Sequence, residues 1–149
     1  MIVRTAERRD ADQWLALRCE LWPDGPAAEH REEIGQYFSG RFPREPWVVL
    51  LAEDDRQRIV GLAELSLRPY AEGCTSTPVA YLEGWFVAAD ARRMGVGRTL
   101  MEAAGAWGRS QGCSELASDC APDNQVSADA HRGLGFADAG VVQCFRKAL

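Results

Sequence analysis

Several absences narrow the choices for this chain. There is no C-x-x-C pair among its 149 residues. The five cysteines (Cys19, Cys74, Cys113, Cys120 and Cys144) are odd in number and widely scattered. That spacing suggests neither a zinc site nor a disulfide framework. No metal is expected, and reduced thiols of a cytoplasmic protein are. The longest clear apolar run, "WVVLLA", is far short of the roughly 20 residues that cross a bilayer. Arg4, Glu7, Arg8, Arg9 and Asp10 leave no room for a signal-peptide core, so no membrane partner is expected. Positive charge is in deficit, with 17 Lys and Arg against 22 Asp and Glu, a net charge of −5. This argues against a nucleic-acid partner and suits a cationic one. Repeats, linkers and low-complexity tracts are missing too. Residues 1–149 are read as one domain, long enough to bury a real core.

What is present alternates between strand and helix patterns. "MIVRTA" is short and β-branched, the pattern of a first strand. Asp10 is placed to cap a helix in which Trp14, Leu17, Arg18, Leu21 and Trp22 recur at helical spacing, ended by "PDGP" at 23–26. A weaker helix covers 27–40. "WVVLLAEDD" and "RIVGLAELSLRP" predict two strands about a polar turn at Asp54–Gln57. In the second, Ile59, Gly61, Ala63, Leu65 and Leu67 alternate onto one face. A polar loop at 69–78 precedes a long strand, "VAYLEGWFVAA", whose central Gly84 suggests a bulge. Val96, Leu100, Ala103, Ala104 and Trp107 form the stripe of the next helix, which Gly112 ends. "SELASD" reads as a strand, 124–133 as a helix, Phe136–Ala137 as a short strand and "VVQCFRKAL" as the last strand. Three consecutive strands imply antiparallel pairing. The strand–helix–strand crossing at 79–119 implies a parallel pair. The expected class is α/β: a mixed, mostly antiparallel twisted sheet with helices on both faces.

"RRMGVG", at 92–97, sets arginines around two glycines directly before a helix. Backbone N–H groups at a helix start, with arginines beside them, favour an anion. A Walker loop would need G-x-x-x-x-G-K-[ST], and the chain has none. A dinucleotide loop would need G-x-G-x-x-G after the first strand, whereas "GVGRTL" lacks the third glycine and follows the fourth. What remains is R-x-x-G-x-G: Arg92, Gly95 and Gly97. With "LEGWFVAADARRMGVGRTL" before the helix and "HRGLGF" behind it, the chain resembles the Gcn5-related N-acetyltransferases from first strand to last.

That resemblance implies acetyl-CoA as co-substrate. Arg92, Arg93, Met94, Gly95, Val96, Gly97 and Arg98 would cradle its diphosphate through backbone N–H groups and the helix dipole. Gly95 and Gly97 would remove Cβ atoms from that approach. A bulge at Gly84 would splay two strands, and the edge of Trp85, Phe86 and Val87 would pair with the pantetheine arm as an added strand does. Asn124 is either a further partner of that arm or a helix cap.

A closer resemblance lies in "LWPDGP", "SLRPYAEGCTSTPVAYLEGWFV", "ASDCAPDN" and "HRGLGF". Together these look like one branch of the aminoglycoside 6′-N-acetyltransferases. The likeness carries acceptor-site roles onto Trp22, Tyr70, Glu83 and Asp119. Gly25 stands where relatives can have a histidine that touches the drug, and Gly140 where they can have an acidic residue. The chemistry agrees in kind, because a polycation needs carboxylates and a flat aromatic wall. Trp22 and Tyr70 are open between packing and stacking. His131 stands where many N-acetyltransferases have a tyrosine near the departing sulfur; it is either a proton donor or a packed helix residue. The transfer is expected to be direct, with Glu83 or Asp119 taking the proton through water, since no cysteine has a partner marking it as an acyl carrier. The rivals are an N-acetyltransferase for another amine, a polyamine or a peptide N-terminus, and a non-catalytic acetyl-CoA sensor. A homodimer is expected from the family and from the apolar last strand.

Overall fold

In the computed structural model, residues 1–40 and 48–149 are described. The elements run β1 (Ile2–Thr5), α1 (Ala11–Leu21), α2 (Ala27–Ser39), β2 (Val48–Glu53), β3 (Ile59–Arg68), β4 (Val79–Val87), α3 (Val96–Ser110), β5 (Leu116–Ser118) and α4 (Gln125–Gly133). Trp47, the expected start of the second strand, lies outside the described residues. The strands stand side by side in chain order. Pairing is antiparallel from β1 to β4. β5 is parallel to β4, as the crossover through α3 requires. The expected mixed sheet is therefore observed. Among the described residues, no helix is long and apolar enough to cross a membrane.

The two faces bury separate cores. On one, Val96, Leu100, Met101 and Ala104 of α3 pack on Leu50, Ala52, Ala63, Leu65 and Leu82. On the other, Trp14, Leu15, Leu17 and Ile34 of α1 and α2 pack on Val49, Leu51 and Leu62. Neighbours on one strand thus go to opposite faces, the period-two rule of a pleated sheet. The helix α3 lies almost on backbone at Gly61, where a Cβ would come 3.0 Å from both Leu100 Cδ1 and Val96 Cγ1. Ile59 departs from the expected face. A register shift between Ala52 and Glu53 sends it into the core under α1 and α2.

Asp10 does not cap α1. Its carboxylate accepts Arg4 Nη1 at 2.7 Å, Arg4 Nη2 at 2.9 Å and the Glu7 N–H at 2.8 Å. A buried carboxylate is better satisfied by a guanidinium fork than by a solvated helix end. The Arg4 fork holds the Asp10 carboxyl below its usual range.

The two strands expected at Phe136–Ala137 and 141–149 are also corrected. No strand follows α4, and residues 137–149 are exposed throughout. Val141 and Phe145 are 80% and 88% exposed. Strand propensity acts only where an edge can complete the ladder. The glycine at 140 takes φ +107°, which interrupts an extended run there.

The feature that positions the site is the β3–β4 register. Glu64 opposes Gly84, the next pair is Leu65 with Leu82, and Glu83 is the extra residue. This is the bulge expected at Gly84. β5 pairs with β4 only from Ala80 to Leu82. Beyond Leu82, β4 continues to Val87 without β5 beside it, which opens the splayed pair.

Candidate active site

The helix start beyond the split is built by backbone. Gly95 takes φ +84°, a conformation cheap only for glycine, and begins α3. Arg93, with φ +62°, turns the chain just before it. Arg92 Nε donates to Val87 O at 3.0 Å, and its guanidinium lies 5.6 Å from the Phe86 ring centroid. The turn is thereby tied to the end of β4. Val96 is buried in the core, whereas Arg92, Arg93, Met94 and Arg98 stay exposed. Gly97 serves a purpose that its motif did not disclose. A Cβ there would lie 2.9 Å from Trp85 Cζ2, so the missing side chain makes room for the indole. The buried Trp85 Nε1 has no hydrogen-bond partner. An orphaned donor on the unpaired edge, beside a helix N-terminus, fits a polar ligand that runs from one to the other.

Asn124 is a helix cap: its Oδ1 accepts the Ser127 N–H at 3.1 Å. His131 is packed. It meets Trp85 and Phe136 edge to face at 5.4 and 5.2 Å. Its Nδ1 lies 2.7 Å from Ser127 O and its Nε2 2.8 Å from Ser118 Oγ. The carbonyl can only accept, which puts the proton on Nδ1 and makes the Ser118 hydroxyl the donor to Nε2.

On the other side of the bulge the site is built by side chains. Glu83 accepts the Ser66 hydroxyl and the Arg68 fork, with Nε at 3.1 Å and Nη2 at 2.8 Å. The Arg68 guanidinium sits 3.5 Å over the Tyr81 ring centroid. The Tyr81 hydroxyl donates in turn to Asp119. The two carboxylates singled out in the sequence are thus joined through Arg68 and Tyr81. Burial, then the Asp119 hydrogen bond, pushes the Tyr81 hydroxyl well above its usual pKa. Burial works against the charge of Arg68, but the hydrogen bond and field of Glu83 outweigh it and its pKa is raised.

Trp22 covers the bulge. A Cβ on Gly84 would lie 2.6 Å from Trp22 Cη2, so this glycine exists for the indole. His30 stacks on the far side at 6.2 Å, and the Arg18 guanidinium lies 5.0 Å from the ring centroid. Gly25 also finds its reason here. A Cβ at 25 would meet His30 Nε2 at 2.8 Å, so His30 fills that space from α2. Arg18 is held by Glu64 through Nε at 2.8 Å and Nη2 at 3.1 Å, and Trp14 Nε1 donates to the same carboxylate at 2.8 Å. Burial pushes the Glu64 carboxyl up, while Arg18 and Trp14 pull against it. Tyr70 stands apart in the 69–78 loop, 62% exposed, with its hydroxyl 3.2 Å from Glu72.

Residues 11–136 match the Acetyltransferase (GNAT) family. The chain belongs to that family. An aminoglycoside N(6′)-acetyltransferase type 1 of Klebsiella aerogenes is 49% identical, with 99% of this chain and 97% of that protein covered. One of Serratia marcescens is 41% identical over 93% of this chain and 92% of its own. Among solved structures, AAC(6′)-Iy in complex with the bisubstrate analogue CoA-S-monomethyl-acetylneamine superposes with TM-score 0.89 at 33% identity, covering 99% of this chain and 98% of that one. Apo AAC(6′)-IG from Acinetobacter haemolyticus gives TM-score 0.91 at 34% identity, covering 100% and 99%.

Within this GNAT chain, sequence reasoning missed Ser66, Arg68, Tyr81 and His30. A signal existed for the first three. Counting by twos from Ser66 to Arg68 on one strand and from Tyr81 to Glu83 on the next puts all four polar groups together once the strands pair. His30 had no such signal, because only the tertiary fold brings it to Gly25. Among the described residues, no group of His, Cys, Asp and Glu is arranged to hold a metal.

Proposed function

We propose that this chain transfers the acetyl group of acetyl-CoA directly to the 6′-amine of an aminoglycoside. The observation that carries the proposal is the linked set Glu83–Arg68–Tyr81–Asp119 beside the opening between β4 and β5. It offers carboxylates to a polycation, and Trp22 supplies the wall. The match to relatives so named over nearly the whole chain supports the same acceptor.

Acetyl-CoA, when bound, supplies a thioester carbonyl open to an amine. The rest is the work of this chain's residues. First-turn N–H groups of α3, among them those of Gly97 and Arg98, receive diphosphate oxygens with the dipole behind them. The edge of Trp85, Phe86 and Val87 pairs with the pantetheine amides, and Trp85 Nε1 and the Asn124 amide nitrogen are donors along that path. An N–H near Val87 polarises the carbonyl. Glu83 and Trp22 fix the acceptor. Asp119, which has one oxygen not taken by Tyr81, accepts the amine proton through water. His131 supports Trp85 and Ser118 rather than delivering a proton, since both its nitrogens are engaged. Alignment of amine and thioester accounts for most of the rate.

Thiol release with a panel of amines tests this. A 6′-amino aminoglycoside should react fastest. A polyamine or a peptide N-terminus reacting faster would give the chain to another acceptor, and cofactor binding with no turnover would make it a sensor. The unpaired cysteines suit a reducing compartment, and we place the enzyme in the cytoplasm. We also propose a homodimer. The 137–149 segment exposes Val141, Val142, Phe145 and Leu149 and has no ladder partner among the described residues, and α4 buries no residue and leaves Val126 83% exposed. Surface of that kind marks an interaction site. Light scattering should give twice the chain mass at micromolar concentration. A monomer there would refute the dimer.

A further inference from the structure

We propose that Arg68 is a displaceable stand-in for the acceptor's ammonium group, and that it makes the site select acceptors by their number of positive charges. The inference rests on the acceptor-site reading above. Glu83 does not wait for a substrate as a bare carboxylate. Arg68 already occupies it with a two-point fork, at 3.1 and 2.8 Å. The same guanidinium lies flat on Tyr81, whose hydroxyl holds Asp119. Arg68 therefore touches both Glu83 and the tyrosine that holds Asp119.

The arginine is the more accessible partner. Its side chain is 35% exposed, against 13% for Glu83. Moving Arg68 aside is feasible because its head remains near water, where a freed guanidinium is solvated at low cost. No such movement is open to Arg18, whose side chain is 6% exposed against a Glu64 at 1%.

The selectivity follows from counting charges. Glu83 and Asp119 are two separate carboxylates, and Arg68 forks onto the first of them. An acceptor with a single ammonium exchanges one cation for another on Glu83 and gains little. An acceptor with several ammonium groups takes Glu83 and reaches Asp119 as well, adding a second charge-assisted hydrogen bond. Arg68 thus acts against monoamines more than against polycations, a discrimination made by an element that repels the wrong partner.

The test is Arg68→Gln, which keeps a donor for Glu83 and removes the charge. The aminoglycoside KM should fall about 3- to 10-fold, the scale of a partly exposed charge pair. A monoamine acceptor should gain more than that, and the salt dependence of KM should steepen. The KM for acetyl-CoA should not move. Arg68→Lys keeps the charge and should stay near the parent. If Arg68→Gln instead raises the acceptor KM, or lowers kcat at constant KM, the arginine only props Glu83 and the proposal fails. The Arg68 Nε–H resonance of the parent gives a check that needs no variant. It should shift and lose exchange protection as aminoglycoside saturates the protein; an unchanged signal overturns displacement. A parent that acetylates no 6′-amino acceptor would overturn the acceptor reading itself, a result visible before any variant is read.

Discussion

The strand β3 takes part in two arginine–glutamate pairs, four residues apart on the same face, and they behave as opposites. At Glu64 the strand supplies the acid and α1 supplies Arg18; the carboxylate is fully buried and shares Trp14 Nε1. At Arg68 the strand supplies the base and β4 supplies Glu83, with the arginine head near solvent. The chemistry is the same, and burial decides what each pair can do. The closed pair is fixed: opening it would strand a charge in apolar surroundings. The open pair can exchange partners. One therefore holds its arginine in place beside Trp22, and the other is the pair proposed above to meet the acceptor.

The largest effect should come from breaking the closed pair. Arg18→Met leaves Glu64 buried without its cation, at a cost of about 3–5 kcal/mol. For a chain of this size that corresponds to a melting point lower by roughly 10 °C, read by calorimetry. Arg18→Met combined with Glu64→Gln should recover part of the loss, because the one carboxylate still left without Arg18, Glu33, is half-exposed rather than buried. If Arg18→Met melts with the parent, the pair is not closed and the comparison falls.

Breaking the open pair should affect turnover instead of folding. Glu83→Gln removes the charge proposed to hold the acceptor and takes from Arg68 its carboxylate partner. A charge-assisted hydrogen bond is worth about 1.5–3 kcal/mol, so kcat/KM for an aminoglycoside should drop on the order of 10- to 100-fold. Asp119→Asn should behave alike. Melting points and the acetyl-CoA KM should stay near parental. A variant as fast as the parent would make Glu83 a strand residue only.

This division was partly legible in the sequence. Glu83 in an apolar strand, Gly84 as a bulge and the glycines before α3 all announce departures from regular structure, and each departure is there. The reasons were less legible than the places. Gly84 read as a bulge and Gly97 as an opening for the diphosphate, yet their missing Cβ atoms make room for Trp22 and Trp85. A glycine signals that something comes close, without saying what. Arg18 looked like part of a helical stripe, and its charge is what makes its burial matter. The tail shows the opposite failure. "VVQCFRKAL" has the composition of a strand, but among the described residues it joins no ladder, because composition alone does not supply a pairing partner.

Gly97→Val tests the new reason for that glycine. The side chain would overlap Trp85, push the indole from the unpaired edge and disturb the path from β4 to α3. The acetyl-CoA KM should rise roughly 10-fold, in the range of an overpacked contact. Adding Trp85→Phe should restore part of the affinity, because the smaller ring leaves room. If the second change rescues nothing, the Cβ obstructs the diphosphate directly and the motif reading was sufficient.

The smallest effect belongs to the link between the two carboxylates. Tyr81→Phe keeps the ring under Arg68 and removes only the hydroxyl that serves Asp119. One hydrogen bond to a partly solvated carboxylate should cost about 3- to 5-fold in kcat/KM, within the usual range for such a bond. Its pH signature separates it from general damage. Burial and Asp119 raise the Tyr81 pKa in the folded protein, so the neutral hydroxyl is favoured there. A group raised on folding contributes its stability in full below the unfolded pKa, near 10 for tyrosine, and loses it as pH climbs through the folded value. The unfolding free energy of the parent should therefore carry no Tyr81 dependence from pH 7 to about 10 and should decline above it. Tyr81→Phe should lack that part of the alkaline decline. Chemical denaturation at a series of pH values reads the difference, and identical alkaline limbs for parent and variant would mean that Tyr81 does not hold Asp119 in the way described.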